Sequence, residues 1–269
     1  MRSTRTKSGE RIRWTNNGKY WFDKFAADQA CAFFPRYLRF TEGEWAGRPF
    51  EMARWQRRIV RKLFGWKRRD GTRRYRRLWL EIPRGNGKTE FAAGLALLLL
   101  VADGEPTPQL YSLATEEGQA RIVFERASKM VSMSPALSEI VETFKTSLWC
   151  TPLQGFFKPL SAAPDSKQGF RPSGFVGDEV HVWKSGELAE VVHEGEGTRR
   201  QPLDIFITTA GEIGTYAHEQ HEYAVAVQRG EIEDDELLVV IFAAPEDADW
   251  TDERVHRAAD VGVVAAVEI

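Results

Sequence analysis

Lys88 and Thr89, preceded by Gly85-Asn86-Gly87, are the residues whose types and spacing best suit chemistry. Gly85, Asn86 and Gly87 tolerate the left-handed backbone angles that turn consecutive N–H groups toward one point. Such a loop, opening a helix, holds a polyphosphate. Its N–H groups cradle the β-phosphate, Lys88 reaches the β/γ oxygens and the Thr89 hydroxyl ligates Mg²⁺. The stretch departs once from G-x-x-x-x-G-K-[ST], because Ile82 stands where the first glycine is expected. A glycine-rich turn with a merely solvated lysine would read the same in isolation, so the surroundings must decide.

Three further groups bear on that decision. Asp178 and Glu179 follow an apolar run from Gly174, which delivers them to the C-terminal end of a strand, where ligands bind in open α/β sheets. One acid there can hold Mg²⁺ and its neighbour can orient and deprotonate an attacking water. Gly177 is out of pattern, since a bulky apolar residue usually precedes such acids. Thr208 and Thr209 end another apolar run, Leu203 to Thr209, where their hydroxyls could sense a terminal phosphate; β-branched residues also end strands for no further reason. Gln56 offers an amide able to read both a donor and an acceptor on adenine, beside Trp55 as an apolar wall.

The elements that must position these groups alternate between strand and helix. Strands are expected at Leu78–Ile82, Gln109–Ala114, Gly174–Glu179, Leu203–Thr209 and Leu237–Ala243, with a hairpin over Phe144–Leu160 turning near Pro152 and Gly155. Helices are expected at Tyr20–Leu38, ended or bent by Pro35, and at Glu51–Phe64, Phe91–Val101, Glu116–Met133, Ser185–Glu196 and Thr215–Arg229. This order predicts an α/β fold with a mostly parallel sheet flanked by helices. It divides the chain into an N-terminal helical segment or lid at 1–50, a core at 51–245 and an acidic tail or linker at 246–269.

The chain has 269 residues, 42% hydrophobic, with a formal net charge of −2, so it can bury one sizeable core and is not basic overall. The charge is unevenly placed. Arg54 to Arg77 is dense in Arg and Lys against the single acid Asp70, whereas Glu231 to Glu253 is strongly acidic. The basic run invites contact with DNA phosphates, although such runs are usually solvated faces. Cys31 and Cys150 lack metal-ligand spacing and suit free thiols in a reducing cytosol. The polar, basic N-terminus has no apolar leader, and the longest apolar run, Leu95 to Ala102, is too short to span a bilayer. A soluble, cytoplasmic protein is expected.

Taken in order, Trp55-Gln56, Arg84 to Thr89, Asp178-Glu179-x-His181 and Thr208-Thr209-Ala210 resemble the ATPase half of the large terminase subunit of tailed bacteriophages. The resemblance implies a P-loop NTPase fold (ASCE/RecA-like), ATP and Mg²⁺ as nucleotide and cofactor, and a motor that packages double-stranded DNA. It makes Gln56 the adenine-recognising residue, Arg84 to Thr89 a variant P-loop, and Thr208 and Thr209 the coupling motif. It accounts for Ile82 but not for Gly177. Implied partners are DNA, other copies of the chain in a ring, the small terminase subunit and the portal, in the host cytoplasm. In such rings a neighbour's arginine can complete the site. Arg171 is the preferred candidate, with Arg199 and Arg200 as rivals and Arg84 as an arginine acting within one chain. The second, nuclease domain of such subunits is expected to be absent.

Two rival functions remain open on sequence. Asp178 to His181 spells DEVH, as in superfamily 2 helicases, but those need a second motor lobe. A nucleotide-gated assembly protein without useful turnover would not need Glu179.

Overall fold

Apolar residues at every second position of the central strands divide the core into two faces. The computed structural model describes residues 14–15, 18–161 and 170–242, so the expectations for the N-terminal polar stretch and the acidic tail lie outside the described residues. In chain order the elements are β1 (Tyr20–Phe22), α1 (Lys24–Tyr37), α2 (Arg54–Gly65), β2 (Trp66–Arg68), β3 (Arg77–Glu81), α3 (Lys88–Val101), β4 (Gln109–Leu113), α4 (Glu117–Ser132), α5 (Pro135–Ser138), β5 (Val141–Thr143), β6 (Leu148–Cys150), β7 (Gly155–Leu160), β8 (Gly174–Asp178), α6 (Glu187–Gly195), β9 (Leu203–Thr208), α7 (Tyr216–Gln228) and β10 (Leu237–Ile241). The main sheet runs β10-β3-β9-β8-β4-β7-β6-β5. Every pairing from β10 to β7 is parallel, and the β7-β6 and β6-β5 pairings are antiparallel.

On one face Leu78, Leu80, Val176, Ile205 and Ile207 pack with α1 to α4. On the other, Trp79, Phe175 and Phe206 pack with residues of α6 and α7. Strand side chains alternate between faces, so β3, β8 and β9 supply aliphatic residues to one layer and aromatic ones to the other. Helix α3 is buried from Phe91 to Leu100, as befits a helix apolar on every side. Phe33, Phe34 and Leu38 of the N-terminal helical region share the aliphatic cluster with α3.

Two expectations change, and the expected hairpin is found. Tyr20–Phe22 is not helical but pairs antiparallel with Trp66–Arg68. The helix begins only at Lys24, where the Asp23 side chain accepts from the Ala26 N–H at 3.0 Å. Pro35 lies inside α1, which continues to Tyr37; the missing N–H costs one backbone bond, and burial of Phe33 and Phe34 holds the helix in place. The expected hairpin is the β6–β7 turn, to which β5 adds an edge strand.

The two uneven charge runs meet each other. Arg68 pairs with Glu236, Arg74 with Asp235 and Arg77 with Asp234. Arg73, 1% exposed at its side chain, pairs with Asp103 at the end of α3. For these arginines folding has supplied carboxylate partners. Arg54, Arg57 and Arg69 stay exposed.

Candidate active site

Strand β9 separates β3 from β8, so the polyphosphate loop and the paired acids approach from either side of one strand. Gly85 and Gly87 adopt φ of 84° and 66°, the left-handed angles that the loop requires, and Gly87 caps α3. Asn86 steadies the turn by donating to the Pro83 carbonyl at 3.1 Å. Lys88 and Thr89 then begin the helix.

Both reach across to the acids. Thr89 Oγ1 donates to Asp178 Oδ2 at 2.8 Å, and Lys88 Nζ to Glu179 Oε2 at 2.9 Å. Lys88 is 7% exposed and Asp178 8%, so the cluster is largely withdrawn from water. That burial pushes the Asp178 carboxyl above its ordinary range, against the Thr89 hydrogen bond and the Lys88 charge. A hydroxyl beside a buried carboxylate is a suitable oxygen pair for Mg²⁺. Glu179 has φ of 53°, unusual for a non-glycine residue, and its N–H bonds Asp178 Oδ1 at 3.0 Å. This kink lets successive residues aim both carboxylates at the loop.

His181 ties the acids to β9. Its Nδ1 lies 3.2 Å from Glu179 Oε2 and 3.3 Å from Thr209 Oγ1, and its backbone N–H donates to Thr208 Oγ1 at 2.9 Å. Burial lowers its pKa despite Glu179, with Lys88 and Arg84 assisting, so the ring is neutral at neutral pH. The threonines therefore clasp the histidine. The sequence pointed to them as direct phosphate sensors; the contacts make them neighbours of the acids, one residue removed.

Gly177 now has a reason. A β-carbon there would lie 2.6 Å from the Trp183 ring, which fills that space and stacks on Tyr216 of α7 at an interplanar angle of 4°. The glycine admits the tryptophan, and the tryptophan links the acidic strand to α7. No sequence signal announced this. Glu81, buried at the end of β3, bonds His221 of α7 at 2.8 Å and was likewise invisible. Glu90 directly follows Thr89, a visible position, and its Oε1 accepts from the Thr41 N–H at 2.9 Å.

The remaining candidates are dispersed. Gln56 is 6% exposed, and its Oε1 accepts from the Ala53 N–H at 2.9 Å, capping α2. Trp55 is not an open wall: its ring packs edge-on to Phe91 and Phe242 in the core. Arg84 sits exposed in the loop, near enough to influence His181. Arg171 is exposed but precedes β8, at the opposite end of that strand from Asp178. Arg199 is committed, donating to the carbonyls of Arg171, Pro106 and Thr107. Arg200 donates to the Asp70 carbonyl.

Comparison with known proteins bears on the family of the chain. The chain is 27% identical over 228 residues to the terminase large subunit of Enterobacteria phage HK97, covering 82% of this chain and 43% of that protein. It is 33% identical over 100 residues to protein YmfN of Escherichia coli K12, covering 37% of this chain and 22% of YmfN. The crystal structure of the HK97 large terminase superposes with a TM-score of 0.72 at 25% identity, covering 89% of this chain and 49% of the other. The chain thus spans about half the length of the HK97 protein or less. Residues 54–226 match the family described as the terminase large subunit, ATPase domain, and the chain belongs to that family.

Proposed function

We propose that this chain is the ATP-hydrolysing motor domain of a viral DNA-packaging terminase, moving double-stranded DNA into a procapsid. The observation that carries the reading is the double contact across β9, Thr89 to Asp178 and Lys88 to Glu179. The loop N–H groups and Lys88 bind the β/γ-phosphates of ATP. Thr89 and Asp178 hold Mg²⁺, which when bound draws charge from the phosphate oxygens. Phosphate competes with Glu179 for Lys88, so binding releases the Glu179 carboxylate to align a water and take its proton. His181 keeps that carboxylate in place, and Thr208 and Thr209 sense its movement. Gln56 reads adenine with the amide atoms that its capping bond leaves over.

The motor core is assigned to 51–245, with 1–50 as a helical cover. The acidic stretch 246–269 is assigned as a tail or linker. Partners are DNA, copies of the chain in a ring, a small terminase subunit and a portal, in the host cytoplasm. Among the described residues no helix is long and apolar enough to cross a membrane. The family match does not favour a helicase.

Nucleotide binding and Mg²⁺-dependent ATPase of the wild type, Lys88→Ala and Glu179→Gln test the reading. Lys88→Ala should lose binding; Glu179→Gln should bind ATP and lose turnover by about 10²–10⁴-fold. Slow turnover left unaltered by Glu179→Gln would instead indicate a nucleotide-gated assembly protein.

A further inference from the structure

At the other end of β9 from Thr208 lies a second cluster that the ATPase reading does not use. Asp204, the second residue of β9, is 1% exposed, and Glu196, just past the end of α6, is 4% exposed. His193 stands one helical turn before Glu196, so both project from the same side of α6 toward the start of β9. His193 Nδ1 is 2.7 Å from Asp204 Oδ2 and 3.4 Å from Glu196 Oε2. One donor atom from each of the three residues lies within 4.8 Å of the other two.

Among the described residues two oxygens in the cluster lack partners: Glu196 Oε1 and Asp204 Oδ1 are buried without a hydrogen bond. Buried carboxylate oxygens are normally satisfied, and leaving them bare is costly. Arginines line the adjoining cleft of about 350 Å³ but are engaged elsewhere. Arg77 pairs with Asp234, Arg199 holds carbonyl oxygens, and Arg76 donates to the Arg200 carbonyl.

We propose that His193, Glu196 and Asp204 form a binding site for a divalent transition-metal ion of the zinc class. One imidazole and two carboxylates match zinc's N/O donors, and the imidazole disfavours Ca²⁺ and Mg²⁺. Tetrahedral Zn²⁺ with bonds of about 2.0–2.2 Å sets its donors about 3.3 Å apart, so the contacts need only a small opening between His193 and Asp204. The fourth position opens to the cleft through exposed His193 and takes a water. The ion clips the end of α6 to β9. Four residue steps along β9, roughly 13 Å, separate it from the nucleotide cluster, so its role is structural.

The test is to strip the chain with chelator, add excess Mg²⁺ to occupy the nucleotide cluster, and titrate Zn²⁺ by calorimetry. Melting curves and Co²⁺ absorption follow on the same protein. One Zn²⁺ per chain, a raised Tm and tetrahedral Co²⁺ bands are expected. His193→Gln, at a half-exposed side chain, should fold, keep its ATP affinity, weaken Zn²⁺ by at least about tenfold and lose the Co²⁺ bands. Absence of saturable binding would overturn the proposal and leave a carboxyl pair sharing a proton beside His193. Equal Zn²⁺ affinity and Tm gain in His193→Gln would overturn it by placing the ion on other ligands.

Discussion

At Glu179 two partners compete for one carboxylate. Lys88 holds it at 2.9 Å and His181 approaches it at 3.2 Å. On the proposed function nucleotide phosphate removes the first partner, so the second decides where the carboxylate points during turnover. His181→Ala should therefore lower kcat by about 10- to 100-fold with little change in KM, because an interaction that only positions the base is spent in the transition state. A matching rise in KM would instead mean that His181 helps to bind ground-state nucleotide. Gly177 carries a second expectation. Gly177→Ala forces a methyl group into the Trp183 ring, which is buried and stacked on Tyr216, and should cost about 1–3 kcal/mol in urea unfolding. In a Trp183→Leu background the penalty should largely vanish, since the two positions are coupled by contact. The nucleotide loop and the acids were legible in sequence because local backbone chemistry fixes them. The reason for Gly177 was not, because it is a partner six residues on that only the fold brings back over the strand.

Among the elements, alternation and helical periodicity were enough to locate the parallel strands and their helices, since burial on both faces leaves long apolar runs. They failed at Tyr20–Phe22, where three aromatic residues continue a helical pattern but find a better partner in Trp66–Arg68. Nor could they show the partners of the basic run, which are acids more than a hundred residues away at Asp234 to Glu236. A more deeply buried pair of the same basic run, Arg73 with Asp103, yields a prediction. Arg73 joins the segment before β3 to Asp103 and, through Nε, to the Gln201 carbonyl at 3.1 Å. Arg73→Met strands the Asp103 carboxylate and should destabilise the chain by about 3–5 kcal/mol, read from the urea midpoint. Asp103→Leu on top of Arg73→Met should recover much of the loss, whereas Arg73→Lys should not, lacking the planar fork.

For the whole molecule the decisive fact is direction. All strands from β10 to β7 point the same way, which gathers the loop, the acids and the threonines at one end of the sheet. Arg171 enters β8 from the other end, and β8 alone puts roughly 13 Å between them. Within one chain it cannot touch the phosphates. Its backbone is fixed, with its N–H on Gln109 and its carbonyl on Arg199, while its side chain is exposed. A rigid base under an exposed guanidinium suits a group presented to a neighbouring copy. If Arg171 completes the neighbour's site, ATPase rate per chain should climb steeply with protein concentration. Arg171→Ala should abolish the climb, a loss of up to about 10³–10⁵-fold at high concentration, and leave ATP affinity of the dilute chain intact. An active but concentration-independent wild type would place the arginine in the same chain, and Arg84, beside His181 in the loop, is then the residue whose alanine variant should silence turnover.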